Sequence, residues 1–200
     1  KRLGIQINFA PVVDVNNNPL NPVINVRSFG DNPDAVAHKG IMYMKGMQDA
    51  GIIATAKHFP GHGDTDSDSH YTLTSVNHSR ERLDSIELYP FKKIFDAGIE
   101  GVMVAHLNVP ALGTQPETPT TLTKSVVTDL LKNQLGFNGF IFTDALNMKG
   151  ATKYYKEGEI EAMAVQAGND ILLFPVSDMA IGRAEKNLRK NADTDQERQG

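Results

Sequence analysis

The chain has 200 residues, 40% of them hydrophobic and 22% charged, with a formal net charge of −4 and no cysteine. This is ordinary globular composition, and it excludes disulfides and thiolate metal sites while leaving the compartment open. The lack of a Lys/Arg block argues against a nucleic-acid partner, and no apolar stretch approaches the about 20 residues of a membrane helix.

In chain order, one event recurs. The opening "KRLG" reads as the tail of a helix and is followed by the strand-like "IQINFAPVVDV". "DNPD" then offers Asp31 or Asn32 as a helix cap ahead of Pro33, a first-turn position for proline. That helix is expected to end at Gly51 and to hand over to the apolar run "IIATAKHF". Pro90 marks the start of a new helical segment that ends at Gly98, before "GVMVAHL". Thr123 is placed to cap a helix whose Val126, Val127, Leu130 and Leu131 follow a helical period and which ends at Gly136. "GFIFTDAL" follows, then a helix ending at Gly168, then "DILLFP". Glycine just past a helix takes the left-handed conformation without a Cβ penalty. The apolar runs are short, continuous and rich in Ile, Val and Phe, as strands buried on both faces are.

Strand–helix alternation predicts an α/β fold with a parallel sheet, either open or closed into a barrel. A full barrel takes about 250 residues, more than this chain offers. Because the sequence starts at a helix tail, the expectation is a partial (β/α) barrel of TIM type over residues 1–183. It would lack upstream units and a closing one, with 184–200 as a polar tail or linker.

Active sites of such folds lie at the carboxyl ends of the strands. Those ends carry Asp14, Lys57 with His58, His106, and Asp144. Asp14 and His106 are equally read as loop caps or partners of backbone groups. Asp144 stands out, because "FIFTDAL" runs from a buried strand straight into a carboxylate that is costly to desolvate.

The segment "KHFPGHGDTDSDSH", Lys57 to His70, packs three histidines and three aspartates into fourteen residues. Asp64, Asp66 and Asp68 have the spacing that opens an EF-hand, but Ser69 stands where glycine and Ser75 where glutamate is needed. His58, His62 and His70 match no compact zinc spacing. "GHGD" is a weak phosphate cradle with no third glycine. Proton transfer remains. Asp68 and His70 are two apart, so an extended backbone points them the same way, and a carboxylate beside an imidazole orients the ring. No G-x-S-x-G elbow accompanies them. A carboxylate nucleophile, Asp144, with a separate acid/base is the arrangement of retaining glycoside hydrolysis, here with an Asp–His pair in place of the second carboxyl.

"KHFPGHGDTDSDSH" followed by "IFTDALNMK" resembles the β-N-acetylglucosaminidases of glycoside hydrolase family 3, as do "NFAPVVDVNNNPLNPVINVRSFG" upstream and "ELYPFKKIFDAG…VMVAH" between. The resemblance covers Ile5 to about Pro175. It implies a (β/α) barrel and a retaining exo-glycosidase that releases terminal β-linked N-acetylglucosamine, in particular from peptidoglycan fragments. By this resemblance Asp144 is the nucleophile, His70 the acid/base and Asp68 its partner. Arg27, Lys57 and His58 bind sugar hydroxyls, and His62 has a supporting place. The implied partner is a small carbohydrate such as an N-acetylglucosaminide or muropeptide, with no cofactor and no metal. Two alternatives stay open: a glycoside phosphorylase, because a histidine acid/base carries no negative charge to repel phosphate, and a non-catalytic sugar-binding barrel.

Overall fold

The computed structural model describes residues 4–65, 73–156, 158–175 and 180–197. Its centre is a parallel sheet of four strands in the order β1 (Ile7–Asn8), β2 (Ile53–Phe59), β4 (Gly101–Val104) and β6 (Phe140–Thr143). Register runs Ile7 against Ile53, Thr55 against Gly101 and Gly101 against Phe140, so β4 and β6 start level and β2 starts two residues earlier than β4. The expected fifth strand is reduced to a single parallel bridge between Ile171 and Phe142. A second small parallel sheet pairs β3 (Thr74–Ser75) with β5 (Leu107–Asn108), an element with no apolar run to announce it.

Helices fill the connections, as parallel strands require. Asn32, not Asp31, caps α1 (Pro33–Asp49): its Oδ1 accepts from the Ala35 N–H at 2.9 Å. Ser79 caps α2 (Arg80–Ser85), and α3 (Tyr89–Asp96) carries Pro90 in its first turn. Ser125–Gln134 forms a π-helix whose Val126, Val127, Leu130 and Leu131 are buried as their spacing predicts. Thr123 does not cap it. Its hydroxyl donates instead to the Pro119 carbonyl at 2.9 Å, and Lys124 takes the cap position without a side-chain bond. Two short helices, α4 (Lys149–Thr152) and α5 (Glu159–Ala167), follow β6, and α6 (Ala180–Glu197) runs through the residues expected to be a polar tail.

All four residues of β4 are buried, since the strand has neighbours on both edges and side chains on both faces. One layer of the core places Phe59 edge-to-face on Phe91 at 5.3 Å between ring centres. Val104, Leu130, Leu131 and Ile141 join it, all at most 2% exposed. The result is an α/β half-barrel whose strand carboxyl ends open onto one rim. Among the described residues, no helix is long and apolar enough to cross a membrane.

Candidate active site

The turn "KHFPGH" is built around Asp14, which follows the stretch where Val12 bridges to Lys57. Asp14 is fully buried. Its carboxylate accepts from the His58 N–H at 3.2 Å, the His62 N–H at 2.7 Å and the His58 ring Nδ1 at 2.7 Å. Burial alone would push its pKa up. The electrostatic attraction and hydrogen bond of His58, with those of His62, reverse the sign and hold the carboxyl below the usual range. Asp14 is therefore an internal organiser that meets backbone and ring donors, the plainer of its two readings.

Two glycines make the turn possible. A Cβ on Gly63 would lie 1.8 Å from the Val15 carbonyl oxygen, and one on Gly61 would meet the Glu87 Cβ at 2.8 Å. Gly61 also has φ +131°, a backbone region that L side chains rarely adopt. The "GHGD" glycines thus serve close chain packing.

The consequence is a fixed His58 tautomer. A carboxylate only accepts, so Nδ1 carries the proton that points at Asp14, and Nε2 offers its lone pair to the Arg27 guanidinium at 3.4 Å. Arg27 ends a 3-10 turn over Asn25–Arg27 and is tied back to the Val23 carbonyl at 3.2 Å. Lys57, half-buried at the end of β2, has its pKa lowered by burial and by neighbouring Arg27, and partly restored by Asp144 and Asp14. Asp144 follows β6 directly: its N–H donates to the Val104 carbonyl at 2.9 Å, and its Oδ1 accepts from the Ala145 N–H at 2.8 Å.

Arg27, Lys57, His58 and Asp144 line one pocket of about 400 Å³, together with Phe9, Val23, Met103, Leu173 and others. His62 lines it too, and burial lowers its pKa while Asp14 opposes the shift. Its place inside the "GHGD" turn is what brings it there, beside Asp14. Asp68 and His70 lie outside the described residues, immediately beyond Thr65, which hydrogen-bonds His62 Nδ1 through its Oγ1 at 2.7 Å. His106, the remaining strand-end candidate, is fully buried.

Two other features sit away from this pocket. A larger cavity of about 800 Å³ opens at the amino ends of the strands, lined by Ile53, Gly98, Phe137, Phe140 and neighbours, and holds none of the candidate residues. Ligand-type atoms of Asp64, His78 and Glu87 lie within 4.8 Å of one another. Arg82 sits among them, 3.0 Å from Glu87 and 3.6 Å from Asp64, so that the cluster carries its own cation.

Residues 1–199 match the family described as "Glycosyl hydrolase family 3 N terminal domain". "Beta-hexosaminidase A" of Pseudoalteromonas piscicida is 43% identical over 185 residues, which are 88% of this chain and 31% of that protein. The structure of a glycoside hydrolase family 3 β-N-acetylglucosaminidase from Paenibacillus sp. str. FPU-7 superimposes with a TM-score of 0.83 at 42% identity, covering 94% of this chain and 40% of that one. The "Beta-glucoside phosphorylase BglX" superimposes with a TM-score of 0.86 at 28% identity, over 96% of this chain and 36% of that one. The chain therefore spans less than half the length of each of these relatives.

Proposed function

The chain belongs to glycosyl hydrolase family 3, and from that premise we propose that the full-length protein is a β-N-acetylhexosaminidase acting with retention on terminal β-linked N-acetylglucosamine. The observation that carries this reading is the convergence of Asp144 with Arg27, Lys57 and His58 on one pocket at the carboxyl ends of the strands.

In this mechanism Asp144 attacks the anomeric carbon while protonated His70 donates to the departing glycosidic oxygen. The glycosyl-aspartate forms with inverted configuration. His70, now neutral, takes a proton from water, which attacks from the other face, so that the anomer is retained overall. Asp68 supports the imidazolium. Arg27 and Lys57 donate to sugar hydroxyls. His58 joins them through a ring whose tautomer Asp14 holds. Peptidoglycan fragments are the natural substrate in this reading.

The experiment is proton NMR of an aryl β-N-acetylglucosaminide during turnover by the full-length protein. The β-anomer of N-acetylglucosamine appears first if the mechanism holds; the α-anomer appearing first refutes retention. A phosphorylase is the second reading. It is favoured by the two cations of the pocket and by the similarity to BglX. Sugar 1-phosphate accumulating in phosphate buffer, in place of the free sugar, decides for it.

A further inference from the structure

His106 follows β4 and is fully buried, yet both ring nitrogens are engaged. Nε2 lies 3.0 Å from the Ala145 carbonyl oxygen and Nδ1 lies 2.8 Å from Thr121 Oγ1. A carbonyl only accepts, so Nε2 carries the proton and Nδ1 accepts from the Thr121 hydroxyl. Thr121 is itself anchored: its carbonyl accepts from Asn169 Nδ2 at 2.8 Å. On the far side, the Ala145 N–H donates to Asp144 Oδ1 at 2.8 Å. Ala145 is thus gripped at its carbonyl by His106 and at its amide by Asp144.

We propose that His106 is a positioning residue for the reaction: through Ala145 it sets the direction in which the Asp144 carboxylate faces the pocket. The inference rests on Asp144 being the nucleophile. It assigns to His106 a role that an apolar side chain cannot fill, because a phenylalanine would take the ring acceptor from the buried Thr121 hydroxyl and would leave the Ala145 carbonyl to the Met148 N–H alone, at 3.1 Å. Geometry at a nucleophile is worth rate: a misplacement of about 1 Å costs on the order of 100-fold. Ala145 lines the same pocket, but Arg27, Lys57 and His58 reach the sugar from the 3-10 turn and from β2 rather than through it. A positioning role therefore predicts a fall in the rate of the covalent step at constant ground-state affinity.

The test uses the full-length protein and a fluorosugar that traps the glycosyl-enzyme, with the labelled residue read by mass spectrometry. His106→Phe removes the donor and is expected to slow labelling of Asp144 by about 10- to 100-fold while the affinity for N-acetylglucosamine stays within about 2-fold. His106→Gln keeps an N–H donor and is expected to recover most of the rate. Thr121→Val, which leaves His106 in place but removes the hydroxyl that orients its ring, is expected to slow labelling by about 3- to 10-fold, and it carries the test if His106→Phe does not fold. Labelling of Asp144 at the wild-type rate in a folded His106→Phe or in Thr121→Val overturns the inference. So does a parallel loss of sugar affinity, which would mark a merely structural residue. A wild-type label on any residue but Asp144 overturns the nucleophile assignment itself, and that result is seen before any variant is made.

Discussion

Replacing Asp14 by asparagine is the sharpest perturbation of the turn that builds the pocket. An asparagine oxygen placed at Oδ1 keeps the His62 N–H at 2.7 Å and the His58 N–H at 3.2 Å. Its amide nitrogen then faces His58 Nδ1, where the carboxylate now accepts at 2.7 Å. Two donors cannot share that line, so the ring must move its proton to Nε2. That proton then opposes the Arg27 guanidinium 3.4 Å away. One charge-assisted hydrogen bond is lost, at about 1.5–3 kcal/mol. For a domain of this size each kcal/mol lowers the melting midpoint by roughly 2–4 °C, so Asp14→Asn is expected to melt about 3–12 °C lower. Displacement of Arg27 should raise KM for an aryl N-acetylglucosaminide more than it lowers kcat. The assay is calorimetry with steady-state kinetics on the full-length protein at neutral pH. Asp14 has a depressed folded pKa, so its contribution is fully present above the unfolded value of about 3.9 and disappears as pH falls through the folded value. The gap between the two proteins should accordingly close in strong acid. A midpoint within 1 °C of wild type at neutral pH, on the order of the scan error, with KM unchanged, would refute the argument that Asp14 organises the turn.

Gly63→Ala should not fold, because its Cβ would sit 1.8 Å from the Val15 carbonyl oxygen and backbone on both sides must move; soluble, active protein at wild-type yield would contradict this. Arg82→Ala leaves Glu87, only 2% exposed, without its cation. Burial already raises the Glu87 pKa against the pull of Arg82, so the variant should lose about 1–3 kcal/mol at neutral pH, a figure discounted because Arg82 is itself partly exposed. The loss should shrink as pH falls and Glu87 takes up its proton; denaturant midpoints across pH read both effects, and a pH-independent loss would argue for packing alone. His70→Gly should slow substrates with poor leaving groups far more than activated aryl glycosides, which need little protonation. Equal losses on both kinds of substrate would remove His70 from the acid role.

Much of this site was written locally. The Gly-terminated alternation of helices and apolar runs predicted the parallel sheet, and the abrupt carboxylate after "FIFT" marked Asp144 at the rim where the structure has it. The π-helix was legible in its buried face but not in its winding, since the same apolar spacing serves either hydrogen-bond pattern. The pairing of β3 with β5 left no trace, because two-residue strands are too short to carry a period.

What the amino-acid order settled by itself is the set of chemical groups delivered to the strand ends, because strand periodicity and helix stops act over a few residues. Which of those groups meet was decided only by the tertiary fold. Asp14 grips His58 from 44 residues away, Arg27 reaches His58 across 31, and His106 holds Ala145 across 39. Each pairing follows from how the sheet and the loops above its carboxyl ends come together, and a buried polar group takes whichever partner that geometry brings within reach, since going without one costs more than any local preference.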